Sequence, residues 1–221
     1  MQIAGRNFTF WYFLVKGLKV LRIKAAFLWP TLKAKILLRL LECPYGRNLQ
    51  VCGKVYFRPN GKESIIMGDD LTITARFLTN SVGISNPAIL ECLGDGQIRI
   101  GHCSGITSAI LSSRKLIRIG AHVKIGANVR IFDHDFHSVD YRYRRKGGGD
   151  ADHVQSAVVL IEDDVFIGTN SIILKGVHIG ARSIVAAGSV VTLKRIPADS
   201  LVAGNPAKII SQIHTADYVK K

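Results

Sequence analysis

From about residue 100 onward, apolar positions recur every six residues, a period that is neither helical nor strictly alternating. Ile119-Gly120, Ile125-Gly126 and Ile131 stand six apart, and the register returns at Ile161, Ile167-Gly168, Ile173, Ile179-Gly180, Val185 and Val191. Four positions after most of these comes a small or β-branched residue: Val123, Val129, Val165, Ser171, Val177, Ser183 and Ser189. Internal repeats of this length mark β-solenoids. Three short strands make a triangular coil, so each hexapeptide is one side plus one corner. The aliphatic residue points inward and stacks on its equivalent in the next coil. The small residue leaves room at the corner, and Gly, Asn or Asp fills turn positions that need positive φ. A weaker run at Ile100-Gly101, Ile106 and Ser112, with traces at Met67-Gly68 and Ile73, extends the pattern backwards. The pattern predicts an all-β solenoid over residues 46–210. Ile209, Ile210 and Ile213 have helical spacing and predict a short C-terminal helix, with residues 211–221 as its tail.

Residues 1–45 follow another rule. Phe8 to Val15 is apolar and aromatic, and Lys16, Lys19, Arg22 and Lys24 then punctuate Leu, Val, Ile and Ala. After Pro30 the pattern resumes with Lys33, Lys35 and Arg39 amid leucines and Ile36. The spacing predicts a basic amphipathic helical segment, with Lys16, Lys19 and Arg22 opposite Leu14, Leu18 and Leu21 and a kink or break at Pro30. The uncharged apolar stretches are about eight residues long where a spanning helix needs about 20. The segment also lacks the layout of a cleaved signal. Two roles suit it: a helix in a membrane interface, contacting the bilayer through residues 8–41, or a helix packed on its own domain or on a partner subunit.

Charge sharpens this division. The chain has 221 residues, 30 Lys+Arg and 16 Asp+Glu, a formal net charge of +14. Residues 1–63 hold 12 of the basic residues and 2 of the acidic ones, so a basic module precedes a nearly balanced one. That distribution argues against a uniformly basic nucleic-acid binder. The four cysteines, Cys43, Cys52, Cys92 and Cys103, form no CxxC pair and read as small apolar residues in a reducing compartment.

The hexapeptide register lapses between Ile131 and Ile161, which predicts a protruding loop over about 132–158. It opens with Phe132-Asp133-His134-Asp135-Phe136-His137-Ser138-Val139-Asp140, the densest titratable cluster in the chain. Insertions that leave a solenoid interior commonly carry function.

The repeat, together with the closing run Ala187-Gly188-Ser189-Val190-Val191-Thr192, Ile196-Pro197-Ala198 and Val202-Ala203-Gly204-Asn205-Pro206-Ala207-Lys208, resembles the hexapeptide-repeat acyltransferases. The likeness covers about residues 95–210 and leans toward the maltose/galactoside O-acetyltransferase-like branch. It implies a left-handed parallel β-helix, an exception to the usual right-handed crossover, and a homotrimer with sites between subunits. It implies acetyl-CoA as co-substrate, with no metal, and a sugar hydroxyl as acceptor. His137-Ser138-Val139-Asp140 matches the family's general-base motif, which makes His137 the base and leaves His134 as a backup. Asp133 or Asp135 would orient the imidazole. An imidazole can take the hydroxyl proton as oxygen attacks the thioester.

Ser108 stands where relatives commonly carry an acceptor-binding Asn, and Phe136 is a second acceptor contact. On the donor side the resemblance points to Phe166 as a wall, to Thr169, Ala187, Gly188 and Thr192 along the pantetheine arm, and to Lys194 (or Arg195) and Lys208 for the phosphates. The basic N-terminal segment adds a lipid-linked saccharide or envelope-polysaccharide precursor as acceptor, met at the inner face of the cell membrane by a cytoplasmic protein. Two other readings stand beside this one: a non-catalytic membrane-associated scaffold, and a carbonic-anhydrase-type metal enzyme using some of the seven histidines.

Overall fold

The computed structural model describes residues 2–3, 6–7, 9–77, 82–145 and 149–214. A short antiparallel pair, Gln2–Ile3 (β1) with Arg6–Asn7 (β2), precedes one long helix, Phe10–Leu40 (α1). Thr9 caps α1 by accepting the Tyr12 backbone N–H. The leucines, alanines and lysines that follow lose little rotamer freedom in a helix. The helix runs through Pro30 as one element, so the break, one of the two expected outcomes, does not occur. Packing explains this: the next residue, Thr31, donates its hydroxyl to Val51 O at 3.1 Å and accepts the Val51 N–H at 2.8 Å. Ala26, Ala34 and Leu38 are buried on the same side.

The helix also departs from a simple division into basic and apolar sides. Only Ala26, Ala34 and Leu38 are buried, and its other apolar residues lie partly or largely exposed on several sides of the helix, with cations among them.

The rest of the chain is a triangular parallel β-solenoid. The first side contains Gln50–Gly53 (β3), Thr72–Ala75 (β6), Gly105–Thr107 (β9), Lys124–Ile125 (β12), Phe166–Ile167 (β15), Ile184–Val185 (β18) and Ser200–Gly204 (β21). The second contains Val55–Arg58 (β4), Ala88–Cys92 (β7), Ile110–Ser113 (β10), Arg130–Phe132 (β13), Ile172–Ile173 (β16) and Val190–Val191 (β19). The third contains Ile65–Met67 (β5), Ile98–Ile100 (β8), Ile117–Ile119 (β11), Val159–Ile161 (β14), His178–Ile179 (β17) and Arg195–Ile196 (β20). The chain visits the sides in the order first, second, third in every coil. Ile167 pairs with Val185 and Ile173 with Val191, each three hexapeptides further on.

All nine aliphatic repeat positions from Ile119 to Val191 are buried, and they belong to one apolar column that runs from Leu38 of α1 to Ala207. The fourth-position residues are fully buried too. Where they are serines, their hydroxyls satisfy corner carbonyls: Ser171 and Ser189 donate to Ala186 O, and Ser183 to Pro197 O.

As expected, Asn, Asp and Gly take corner positions with positive φ, among them Asn128, Asp164, Asn170 and Gly188. The glycines that directly follow the aliphatic repeat residues answer to a second requirement, close approach between coils. At Gly101 a Cβ would meet Gly120 C at 2.5 Å and Ala121 N at 2.6 Å, so the glycine allows one coil to lie directly on the next.

The two ends are closed differently. At the start, α1 lies along β3 and Thr31 takes up backbone groups that would otherwise form an open edge. At the far end the predicted C-terminal helix is absent over its first part: Ala207–Gln212 (β22) is a strand that folds back antiparallel on β21. A strand uses the backbone groups that β21 leaves free, which a helix could not reach. Residues 215–221 of the predicted tail lie outside the described residues.

Candidate active site

The loop that interrupts the repeat leaves the corner between the second and third sides. Its ends run together as a narrow neck: His134 and Ser156 form an antiparallel bridge, Ala157 N–H donates to Asp133 O at 2.8 Å, and Asp135 N–H to Gln155 O at 3.2 Å. Beyond the neck lie a short helix, Tyr141–Arg144 (α2), and a single helical turn at Ala151–His153. Tyr143 stacks on His153 with centroids 3.4 Å apart.

Asp133 lies in the neck of the loop. It is fully buried and accepts from Ser113 Oγ (2.7 Å), the backbone N–H groups of Arg114 (2.7 Å) and Lys115 (2.8 Å), and His134 Nδ1 (3.1 Å). Burial alone would raise its pKa. The hydrogen bonds from His134, Arg114, Ser113 and Lys115 outweigh that and hold it below the usual carboxylate range. Because an ionised carboxylate only accepts, Nδ1 of His134 is the donor in that bond. Nε2 of His134 is buried and has no hydrogen-bond partner among the described residues.

Phe136 has φ +63, an uncommon conformation for an aromatic residue. The turn it makes brings its ring onto Phe132, edge to face at 4.9 Å, and onto His134 at 4.3 Å. Asp135 pairs instead with Lys175 at 2.5 Å.

His137 lies at the surface of the loop, its side chain 74% exposed. Its Nδ1 lies 3.3 Å from Asp150 Oδ1, and the other oxygen of Asp150 accepts the Ser138 N–H at 2.6 Å. The Ser138 bond first, and the His137 bond after it, keep the Asp150 carboxyl below its ordinary range against the opposing effect of burial. His137 thus has one nitrogen fixed by a carboxylate and the other turned to open space, the arrangement of a proton acceptor. The residue that holds it is Asp150, not Asp133 or Asp135. Asp150 lies 13 positions away across the loop. No spacing rule marks that relation in the sequence.

The remaining candidates divide between two corners. Thr192 and Lys194 are exposed at the corner of the histidine loop, and Lys194 Nζ approaches Lys175 O at 3.5 Å. Thr169, Ala187 and Gly188 lie at the corner between the first and second sides, where Gly188 N–H donates to Thr169 O at 2.8 Å. Ser108 occupies that same corner, fully buried, with a hydroxyl that has no partner among the described residues. Phe166 is exposed on the outer surface of the first side, and Lys208 is exposed on β22. Within one chain, a full side of the prism separates His137 from Ser108, Thr169, Ala187 and Gly188; six residues span at most about 20 Å. Among the described residues no three His, Cys, Asp or Glu side chains converge as a metal-ligating group.

A profile described as the hexapeptide repeat of succinyl-transferase matches residues 158–192. Residues 158–192 thus carry a hexapeptide repeat of a described kind. Solved structures similar to the chain include acetyltransferases. One, from Vibrio cholerae O1 biovar eltor and solved with acetyl coenzyme A, is 28% identical, with a TM-score of 0.55 over 83% of this chain and 78% of its own. Galactoside acetyltransferase in complex with coenzyme A shares the fold at 23% identity, with a TM-score of 0.56 over 85% of this chain and 74% of its own. A 2,3,4,5-tetrahydropyridine-2,6-dicarboxylate N-acetyltransferase of Staphylococcus aureus (strain JH9) is 52% identical over 63 residues, 28% of this chain. That match spans about a quarter (26%) of the relative's own length.

Proposed function

We propose that this protein is an acyl-CoA-dependent acyltransferase that moves an acetyl group from acetyl-CoA to a sugar hydroxyl. In this reading the solenoid is left-handed, the protein is a homotrimer, and the acceptor is a lipid-linked or envelope-polysaccharide precursor. The protein works in the cytoplasm and contacts the inner face of the membrane through residues 8–41. The observation that carries the chemistry is the exposed His137 held at Nδ1 by Asp150, on a loop that breaks the repeat.

His137 Nε2 takes the acceptor proton as the hydroxyl oxygen forms a bond to the thioester carbonyl carbon. Collapse of that adduct breaks the carbon–sulfur bond, and the imidazolium returns its proton to the leaving sulfur. The donor positions suit the elongated thioester. Ala187 and Gly188 are exposed, and nothing lies within 4 Å of the place a Gly188 Cβ would occupy, so an arm can run close to the backbone. Lys194 and Lys208 supply exposed cations for its phosphates, with Phe166 as an apolar wall. Phe136 and Ser108 are the acceptor-side positions. The separation of the two corners supports the trimer, since a second copy can bring its donor corner to the histidine loop of the first.

Thioester turnover over a panel of sugar, lipid-linked and amine acceptors tests this reading. Wild type should prefer a hydroxyl acceptor, and His137→Ala should lose about 10²–10⁴-fold. Full activity in that variant removes His137 as the base. Preference for an amine would replace O-acylation by N-acylation, the chemistry named for the Staphylococcus aureus relative.

A further inference from the structure

The outward face of α1 is an apolar surface that the solenoid does not use. At about 100° per residue, Leu14, Leu18, Leu21, Trp29, Leu32 and Ile36 fall on one stripe, opposite the side that carries Ala34, Leu38 and Thr31. All six are exposed, Trp29 by 70%. The stripe is about 33 Å long at 1.5 Å per residue. Cations border it on both sides, Lys24 and Lys35 along one edge and Arg22 and Lys33 along the other. A groove of about 340 Å³ between Lys24 and Lys35 is floored by Phe27, Leu28, Thr31 and Leu32. The helix contains seven Lys or Arg and no acid.

We propose that this stripe lies flat in the interface of an anionic bilayer, with the two cation rows at the headgroup phosphates. This rests on the membrane contact in the reading above and gives it an orientation. Apolar residues with two flanking basic rows match a surface that is apolar below and anionic at the level of the phosphates. A second copy is the poorer occupant, because pairing two such helices sets cation row against cation row with no acid in α1 to offset them. Spanning is excluded for α1 itself: no helix among the described residues is long and apolar enough to cross a membrane. The solenoid already holds the later part of the helix through Thr31 and Val51 and through the buried Ala26, Ala34 and Leu38, so that part does not have to order on binding.

Co-sedimentation of the full chain with phosphatidylcholine vesicles, with and without phosphatidylserine, tests the proposal. Binding should require phosphatidylserine and weaken with salt. The double substitution Leu18→Glu/Trp29→Glu, both on exposed positions, should weaken binding by about a hundredfold or more while thermal unfolding stays unchanged. Lys24→Gln/Lys35→Gln should weaken it by roughly twentyfold. Equal binding by the Glu variant and wild type overturns the proposal. So does a wild type that ignores both vesicles but dissociates into smaller assemblies on the Glu substitutions. Turnover on a soluble acceptor is the separate readout: vesicle binding without turnover removes the chemistry and leaves the docking in place.

Discussion

Asp150 Oδ1 lies 3.3 Å from Nδ1 of His137, while its second oxygen takes the N–H of the neighbouring Ser138 at 2.6 Å. One carboxylate therefore fixes both the ring and the backbone that carries it.

Asp150→Asn separates these duties. The amide oxygen can still accept the Ser138 N–H, so stability should change little. The amide no longer stabilises an imidazolium, so kcat for acyl transfer should fall, by less than in His137→Ala, with KM nearly unchanged. Steady-state kinetics with a circular-dichroism melt would check both halves. A fall in melting temperature with unchanged kcat would assign Asp150 to structure alone.

Asp133 should behave oppositely. Its replacement by Ala strands the Ser113 hydroxyl, two backbone N–H groups and His134 Nδ1 in a buried site. A loss of about 3–5 kcal/mol is expected in urea unfolding. The pH dependence follows from its lowered folded pKa. Its contribution is complete above the unfolded carboxylate value of about 3.9. It is lost as pH falls through the lower folded value. The gap between wild type and Asp133→Ala should therefore hold at neutral pH and close only in strong acid. A gap independent of pH would mean that the carboxylate's charge has no role.

The glycines offer a test of stacking against turn geometry. Gly101→Ala should destabilise by about 1–3 kcal/mol, because its Cβ would press on the backbone of Gly120 and Ala121. Gly188→Asn should be close to neutral, since its φ is +72, its surroundings are open, and Asn128 and Asn170 hold the same corner in earlier coils at φ +60. Chemical denaturation of the two variants would decide; equal losses at both sites would refute close approach as the reason for Gly101.

Much of the architecture is legible in the sequence because the solenoid is quasi-one-dimensional. Each coil repeats one local rule, so Ile119, Ile167 and Val185 announce their places without distant information. The same regularity makes the break at Phe132 visible and draws attention to His137. It cannot show what the break folds into. Asp150 is invisible in the sequence because a loop obeys no period, and the run that contains Ile209, Ile210 and Ile213 suits a helix or a strand equally.

The sequence by itself determined the hexapeptide solenoid, the position of its interruption and the basic helix ahead of it, since all three are written in local periodicity and charge. Tertiary structure alone decided which carboxylate holds which histidine, that the repeat glycines serve stacking, and which face of α1 stays open. Those outcomes depend on contacts between segments far apart in the chain, such as Thr31 on Val51 and His137 on Asp150, and no local pattern encodes which distant backbone a side chain will meet.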